Sequence, residues 1–279
     1  MKISEHSQEA YAHVDHWRKE GLKVGLVPTM GALHEGHFSL VDRCRDECDI
    51  VVATIFVNPT QFGPNEDLDR YPRTMDEDLA GLKRHGADLV FTPSAEELYP
   101  AGFSTFVEPP RNALPLEGQF RPGHFRGVTT VVMKYFQIIP AHIAYFGSKD
   151  YQQFAVIRSM VEDLDVPVRV QGCETVREKD GLAMSSRNRY LSPDERERAL
   201  AISAGLFEIK TSVEGGESNV ETLKTALNAK LTPAMDSIDY ATIVDATTLN
   251  EIESLTNPAV ALVAAYVGST RLIDNITLG

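Results

Sequence analysis

The chain has 279 residues, enough for one large or two moderate domains, and its formal net charge is −13 at pH 7. That acidic balance argues against a nucleic-acid partner, because phosphate backbones bind to basic faces. No apolar run reaches the ~20 residues of a membrane span, and the first residues lack the apolar core of a signal peptide. Since three cysteines also suit a reducing compartment, we expect a cytoplasmic protein without a membrane partner.

Strand-like and helix-like stretches alternate through the first half of the chain. A helix is predicted over residues 4–20, with Ser4 as its N-cap. Apolar runs at 23–28 and 50–57 flank a second helix. Strand, helix and strand in this order predict parallel strands joined by a right-handed crossover.

Further along, Thr74 and Glu77 have the spacing of a capping box at the start of another helix. Residues 108–127 are rich in Gly and Pro, and a loop of this length in a compact domain is usually a functional lid or disordered. A helix at about 127–139 and a strand at about 142–146 are expected next, followed by another strand–turn–helix.

The organisation changes near residue 176. A polar stretch leads to a helix that starts with Ser192-Pro193-Asp194-Glu195, and then to a second helix. Three strand-like runs follow, at 238–244, 259–267 and 271–276. We therefore predict an α/β protein, with a Rossmann-like parallel sheet domain over residues 1–176 and a smaller α+β domain over residues 177–279.

Residues 28–37 join the first strong strand to its helix, the position at which open α/β folds bind phosphates. His34 and His37 enter one helical turn, so both project from nearly the same face. The helix N-terminus adds N–H donors and a partial positive charge. Gly36 leaves room for a flat ligand to lie on the backbone. These residues predict a nucleotide site at which an α-phosphate is attacked.

Two other interpretations of the histidines are open. They could be structural, or they could bind zinc, because His-Glu-x-x-His metalloproteases have a similar pattern. The spacing of three rather than four residues, without a third ligand nearby in sequence, argues against zinc. Cys44 and Cys48 lie at i and i+4 on the apolar side of the following helix, and we expect them to be small core residues.

Three further polar clusters, at 58–61, 147–153 and 184–187, fit the same chemistry. Charge that accumulates during transfer at an α-phosphate is stabilised by fixed donors. The donors available are His34, His37, Lys149, Ser185, Ser186 and Arg187. Gln61 and Gln153 are neutral and suit hydroxyl and carboxylate groups. Each residue alone would be an ordinary surface, loop or cap residue, so the prediction depends on their joint occurrence in this order.

Five longer strings, at residues 28–37, 56–62, 121–128, 146–153 and 181–188, resemble the pantothenate synthetase family. The string His34-Glu35-Gly36-His37 alone is similar to the signature of all nucleotidylyl-transferases and class I aminoacyl-tRNA synthetases. The synthetases also carry Lys-Met-Ser-Lys-Ser, which is not matched here, because Ala183 stands at the first lysine. The resemblance extends from about residue 20 to the end of the chain.

The resemblance implies a ligase that condenses (R)-pantoate and β-alanine in two steps. Pantoate attacks the α-phosphate of ATP, which gives pantoyl adenylate and pyrophosphate, and β-alanine then attacks the acyl carbon and releases AMP. The implied catalytic residues are His37 as proton donor, His34, Lys149 and Arg187. The implied ATP site comprises Met30, Gly31, Ala32, Leu33, His34, Glu35, Gly36, His37, Gly147, Ser148, Lys149, Asp150, Val176, Met184, Ser185, Ser186 and Arg187. Gln61 and Gln153 are implied to bind pantoate, and Gln61 also to lie near β-alanine.

The resemblance further implies Mg²⁺ dependence, a cytoplasmic location and a homodimer formed through the N-terminal domain. It leaves the magnesium ligands open. Asp76, Glu77 and Asp78 are near the site in sequence, but acidic residues are also favoured in the first turn of a helix. The ion could equally be held mainly by the ATP phosphates.

Two other functions stay open: another small-molecule nucleotidylyltransferase, and a non-catalytic nucleotide-binding protein on the same fold. Gln61 and Gln153 argue against the first, and the full set of cationic donors argues against the second. Residues 177–190 carry donors but few obvious apolar anchors. We therefore expect ATP to order this segment and to close the C-terminal domain about a hinge near residues 176–181.

Overall fold

The computed structural model describes residues 1–64 and 66–278, which group into two compact units. The first unit contains residues 1–113, 121–148 and 153–174. The second contains residues 114–120, 149–152 and the chain from residue 175 onward. Two short segments that precede residue 176, 114–120 and 149–152, thus group with the C-terminal part of the chain. The predicted division at residue 176 stays a proposal.

The first unit is built on a six-stranded parallel sheet. Its strands are β1 (Lys2–Ser4), β2 (Val24–Thr29), β3 (Ile50–Ile55), β4 (Leu89–Phe91), β5 (Ile143–Gly147) and β6 (Arg169–Cys173). They lie in the order β1-β4-β3-β2-β5-β6 and all pairs are parallel. The chain runs outward in one direction from β2 and in the other from β5, so the order reverses between these neighbours. Ligands of open α/β sheets bind at the carboxyl ends of the strands beside such a switch point.

Nine α-helices are present in the described residues: α1 (Ser7–Lys19), α2 (Glu35–Glu47), α3 (Met75–Arg84), α4 (Ala95–Leu98), α5 (Glu117–Phe120), α6 (His124–Ile138), α7 (Tyr151–Asp163), α8 (Pro193–Glu214) and α9 (Val220–Leu231). Alternate residues of β3 enter different cores. Val52 packs with Leu26 in one core, whereas Val51 and Ala53 pack with Val27 in the other. The parallel sheet is therefore covered on both faces, as its apolar strands require.

Several local expectations were wrong. Ser4 ends strand β1 and does not cap a helix, and α1 begins at Ser7 after an N-cap, His6, whose side chain makes no capping bond. Thr74 caps α3 without a side-chain capping bond, because its hydroxyl donates to Asp78 instead. The stretch 108–127 is not one long loop, since it contains a 3₁₀ turn, helix α5 and the start of α6.

The second unit is an α+β structure. Strands β7 (Ser237–Asp245), β8 (Ala259–Val267) and β9 (Thr270–Leu278) form an antiparallel sheet in the order β7-β8-β9. Helices α8 and α9 pack on it, with Leu206 and Leu227 in the shared core. The predicted start of α8 is confirmed, because Ser192 and Glu195 form a capping box. The predicted fold class, a Rossmann-like parallel sheet with a smaller C-terminal α+β domain, is confirmed. Within the described residues, no helix is both long enough and apolar enough to cross a bilayer.

Candidate functional site

The two histidines meet at the start of α2, just beyond the carboxyl end of β2. His34 is the N-cap and His37 is the third helical residue, with ring centroids 4.1 Å apart. His34 Nδ1 accepts the Gly36 main-chain N–H at 3.2 Å, and His37 Nδ1 accepts the His34 main-chain N–H at 3.4 Å. A ring nitrogen that accepts a hydrogen bond carries no proton, so each neutral ring carries its proton on Nε2. The reciprocal capping therefore fixes both rings as Nε2–H donors.

A buried carboxylate holds the turn that leads into this helix. Gly31 and Ala32 have φ values of +82° and +50°, in the left-handed region that L-residues rarely adopt. Asp78 of α3 is 2% exposed, and it accepts the main-chain N–H groups of Ala32 at 2.9 Å and Leu33 at 2.8 Å. The Thr74 hydroxyl donates to the same carboxylate at 3.1 Å. These bonds stabilise a backbone conformation that would otherwise be strained.

Gln61 is buried and its amide is oriented. Its Oε1 accepts from Asn58 Nδ2 at 3.1 Å, and its Nε2 lies 3.1 Å from the sulfur of Met30. Met30 is the first residue of the predicted ATP-binding turn after β2. The structure thus brings the predicted pantoate residue against the predicted nucleotide turn within one unit.

Asn58 is the residue that fixes the Gln61 turn. Its Oδ1 accepts the Tyr99 hydroxyl at 2.8 Å, and its Nδ2 donates to the Gly127 carbonyl at 3.2 Å. Burial raises the pKa of Tyr99, and the hydrogen bond with Thr60 offsets this only in part, so the hydroxyl remains a donor at neutral pH. A Cβ atom on Gly127 would collide with the Thr60 main chain, which is why helix α6 can approach this turn only at a glycine.

His124 supports the same turn from α6. Its Nδ1 lies 2.8 Å from the Gln61 main-chain carbonyl, and because a carbonyl can only accept, Nδ1 carries the proton. Arg121 donates to His124 Nε2 at 3.2 Å and forms two bonds with Glu66, at 2.8 and 2.7 Å. Burial raises the pKa of Glu66, but the hydrogen bond and positive charge of Arg121, with smaller contributions from His124 and the Gly63 main chain, together hold it below its ordinary value. The 121–128 motif is therefore a support for Gln61.

The second strand at the switch point, β5, ends at Gly147, and a 3₁₀ turn (Ser148–Asp150) follows it. Gln153 lies in the first turn of α7 and is partly buried. Gly147, Ser148 and Gln153 belong to the first unit, whereas Lys149 and Asp150 belong to the second.

In the second unit, the remaining ATP candidates form two groups. The Lys149 ammonium lies 3.9 Å from the Asp150 carboxylate, and the main-chain carbonyl of Lys149 accepts from Asn275 at 2.7 Å. Val176 accepts the Met184 N–H at 3.0 Å.

Ser185 is the N-cap of a 3₁₀ helix (Ser186–Tyr190), and its hydroxyl oxygen accepts the Arg187 N–H at 3.3 Å. Residues 177–190, for which few apolar anchors were expected, have two that are well buried, since Leu182 and Ala183 are each 4% exposed.

Cys44 and Cys48 are buried in a core of the first unit, as predicted, and burial raises the pKa of the Cys44 thiol. Within residues 1–64 and 66–278, no group of three or more His, Cys, Asp and Glu side chains is arranged to hold a metal ion.

A family model for Pantoate-beta-alanine ligase matches residues 2–277. The chain belongs to the pantoate-beta-alanine ligase family. It is 55% identical to Pantothenate synthetase 1 of Bradyrhizobium diazoefficiens over 257 residues, which cover 92% of this chain and 90% of that protein.

Solved ligases have the same fold. The pantothenate synthetase of Thermus thermophilus superposes with a TM-score of 0.94 at 44% identity, covering 99% of both chains. The pantoate-beta-alanine ligase of Francisella tularensis, complexed with beta-gamma ATP and beta-alanine, superposes with a TM-score of 0.79 at 36% identity, covering 99% of this chain and 97% of that one. The predictions of the family and of an ATP-dependent ligase are confirmed.

Two supporting residues of this pantoate-beta-alanine ligase were not predicted in that role. Asp78 was considered only as a magnesium ligand or as part of an acidic helix start, and it does lie in the first turn of α3. Its bonds to Ala32 and Leu33 join positions about 45 residues apart, and no local sequence pattern predicts such bonds. Asn58 was placed in a cluster without a role. An Asn-Pro pair after a strand signals a turn, but not what the amide orients.

Proposed function

We propose that this ligase condenses (R)-pantoate with β-alanine to give pantothenate through a pantoyl-adenylate intermediate. The observation that carries the proposal is the imidazole pair at the N-terminus of α2, with both rings fixed as Nε2–H donors. The Francisella tularensis protein, which was complexed with beta-gamma ATP and beta-alanine, supports the assignment of both substrates.

In the first step, a pantoate carboxylate oxygen forms a bond to the α-phosphorus, and the bond from that phosphorus to the pyrophosphate oxygen breaks. Negative charge grows on the departing pyrophosphate and on the α-phosphate oxygens. The Nε2–H groups of His34 and His37 would donate to these oxygens without reorganising, because main-chain bonds already hold the rings. The proton-donor role that the resemblance gives to His37 would be filled by its Nε2–H, as a hydrogen-bond donor to the developing charge, and Lys149 and Arg187 would supply full positive charge.

The ATP site would comprise the residues at 30–37 and 147–150, Val176 and the residues at 184–187. The loop turn held by Asp78 presents main-chain N–H groups and the helix N-terminus, which suit phosphate oxygens.

Pantoate would bind to the neutral amides of Gln61 and Gln153, and β-alanine would bind near Gln61. Because Asn58 occupies one side of the Gln61 oxygen, this amide presents its donor and acceptor in one fixed orientation. In the second step, the β-alanine nitrogen forms a bond to the acyl carbon, and AMP leaves with the oxygen that joined it to that carbon.

Mg²⁺ would enter as a partner of ATP. Mg²⁺ usually keeps several waters and binds substrate phosphates together with one or two carboxylates. Such a mode needs no all-protein cage. A homodimer formed through the N-terminal domain and a cytoplasmic location are further proposals. Both rest on the sequence resemblance.

The direct test is the pantoate-dependent exchange of labelled pyrophosphate into ATP, followed by mass-spectrometric detection of pantothenate and AMP once β-alanine is added. The proposal expects exchange only when pantoate is present, and equimolar pantothenate and AMP. Exchange supported equally by other small carboxylic acids, or nucleotide binding without exchange, would contradict it.

A further inference from the structure

Two adjacent residues of β9, Asp274 and Asn275, hold two separate segments of the second unit. β9 is an edge strand, since it pairs only with β8 in the three-stranded sheet. Neighbouring side chains of a strand point to opposite faces. Each of the two residues is therefore placed to hold a segment on a different side of the sheet, and both are buried, at 4% and 6% exposed.

Asn275 holds the segment that carries Lys149. Its amide nitrogen donates to the main-chain carbonyl of Lys149 at 2.7 Å. This bond fixes the backbone at the very residue whose ammonium is a candidate phosphate donor.

The other end of the Lys149 segment is held on the same face of β9. Arg271 forms bonds of 2.7 and 2.8 Å with the Glu117 carboxylate, and the Glu117 main-chain N–H donates to Gln152 Oε1 at 3.0 Å. The Glu117 interaction raises the pKa of Arg271 despite the opposing effect of burial, so the arginine is charged. Residues 149–152 are thus fixed at both ends.

Asp274 holds the base of the segment that carries Ser185, Ser186 and Arg187. Its two oxygens accept from the Arg177 guanidinium at 2.7 and 3.0 Å. Arg177 in turn donates to the Gly181 carbonyl at 3.1 Å, and it pairs with Ala183 in an isolated β-bridge. Leu182, between these two contacts, enters the core of the second unit. The carboxylate therefore fixes the loop just before its donor residues.

A buried ion pair is a poor choice if stability alone is required. Removing both charges from water carries a large desolvation cost, and well-packed apolar residues often give equal or greater stability. Asp274 lies on the face of β9 that also carries Leu272 and Ile276, both in the core. What the pair adds there is a defined geometry, since a two-bond carboxylate–guanidinium contact fixes the orientation of the Arg177 guanidinium at the base of the loop.

We propose that Asp274 and Asn275 are positioning residues, which set the Lys149 ammonium and the 185–187 donors in one arrangement for the phosphates of ATP. This inference rests on the proposed function, in which these donors bind ATP. Neither residue acts on the substrate itself.

The experiment is a double-mutant cycle on the full-length protein. Asn275→Asp keeps the side-chain shape but replaces the donor with an acceptor, and Thr277→Ala, at an exposed position on the same face of β9, is the control. Each is made in the wild-type and Lys149→Ala backgrounds. The readouts are the KM values for ATP and pantoate, kcat, and the Kd of α,β-methylene-ATP by calorimetry. A second cycle combines Asp274→Asn with Arg187→Ala and uses the same readouts.

Asn275→Asp is expected to raise the KM for ATP, and the Kd of the analogue, ~10-fold or more, with the KM for pantoate within about twofold. In the Lys149→Ala background its effect on Kd should fall below about twofold, because the side chain that it positions is gone. The same loss of affinity in both backgrounds would overturn the inference, as would wild-type constants in a folded variant. If Asn275→Asp does not fold, as judged by thermal unfolding, Asn275→Ala is used in its place for the same measurements. Absence of pantoate-dependent exchange in the wild type would refute the proposed function, whereas the Kd cycle tests positioning separately.

Discussion

Single hydrogen bonds decide what each imidazole at the start of α2 can do. Both Nδ1 atoms accept main-chain N–H groups, so donation is left to Nε2 without any need for a protonated ring. The same bonds form the helix cap, so local folding and the proposed phosphate contact use the same two side chains.

His37→Ala is expected to lower the rate of pantoate-dependent pyrophosphate exchange by ~10² or more, since one fixed donor to the developing charge is lost. The fold should survive, because this side chain is only partly buried. His16→Ala, at an exposed position of α1, is the matched control and should catalyse pyrophosphate exchange at the wild-type rate. Near-normal exchange by folded His37→Ala would remove the catalytic role.

Gln153→Ala is expected to raise the KM for pantoate selectively, because a neutral amide recognises hydroxyl and carboxylate groups and offers no charge to phosphates. Gln137→Ala, at an exposed position of α6, is the control. Steady-state kinetics with each substrate varied in turn would measure this. A selective rise in the KM for ATP would mean that the two pockets have been assigned the wrong way round.

Asp78→Asn is expected to lower the free energy of unfolding by about 2 kcal/mol, because hydrogen bonds to a charged acceptor contribute ~1.5–3 kcal/mol. The substitution should also slow pantoate-dependent pyrophosphate exchange ~10-fold or more, because the strained turn at Ala32 would no longer be held. Asp76→Asn, exposed in the same first turn of α3, should change neither quantity. Chemical denaturation would measure the free energy of unfolding, and the pyrophosphate assay would measure the exchange rate. If the two substitutions changed both quantities equally, Asp78 would have no positioning role.

At the scale of elements, the strand–turn–helix units were predictable, and their supports were not. Apolar runs located β2 and β3, and Ser192 with Glu195 located the start of α8, because periodicity and caps are local signals. The three-residue strand β1 carries too little pattern to be distinguished from a helix start. The short helix α5 was likewise not predicted, because it lies in a Gly- and Pro-rich stretch.

The segment 177–190 has more anchors than its polar sequence suggests. Leu182 and Ala183 are buried, and Asn188 donates to Glu178 and to the Ala183 carbonyl. Ordering by ATP should therefore concentrate at residues 184–187, whose donors would make charge-assisted bonds to the phosphates.

Hydrogen exchange with and without α,β-methylene-ATP would measure this. We expect added protection at 184–187 and little change at 182–183. Hydrogen exchange across 177–190 that saturating nucleotide leaves unchanged would mean that Arg187 is part of a preformed pocket. Closure of the C-terminal domain about residues 176–181 would then lose its main support.

For the whole molecule, the sequence was sufficient for the fold class and the family, and insufficient for how the chain is shared between its two units. Residues 114–120 and 149–152 pack with the C-terminal part through Glu117 with Arg271 and Lys149 with Asn275. These contacts join positions more than 100 residues apart. Local patterns cannot reveal such pairs, because each partner taken alone has the appearance of an ordinary surface residue.

The proposed attack of pantoate on the α-phosphate of ATP can be followed with pantoate that carries ¹⁸O in its carboxylate, by mass spectrometry of the nucleotide and phosphate products after β-alanine is added. An adenylate route leaves one pantoate oxygen on the phosphorus when AMP departs, so we predict one ¹⁸O in AMP and none in pyrophosphate. Label in inorganic phosphate, or AMP without label, would contradict the account.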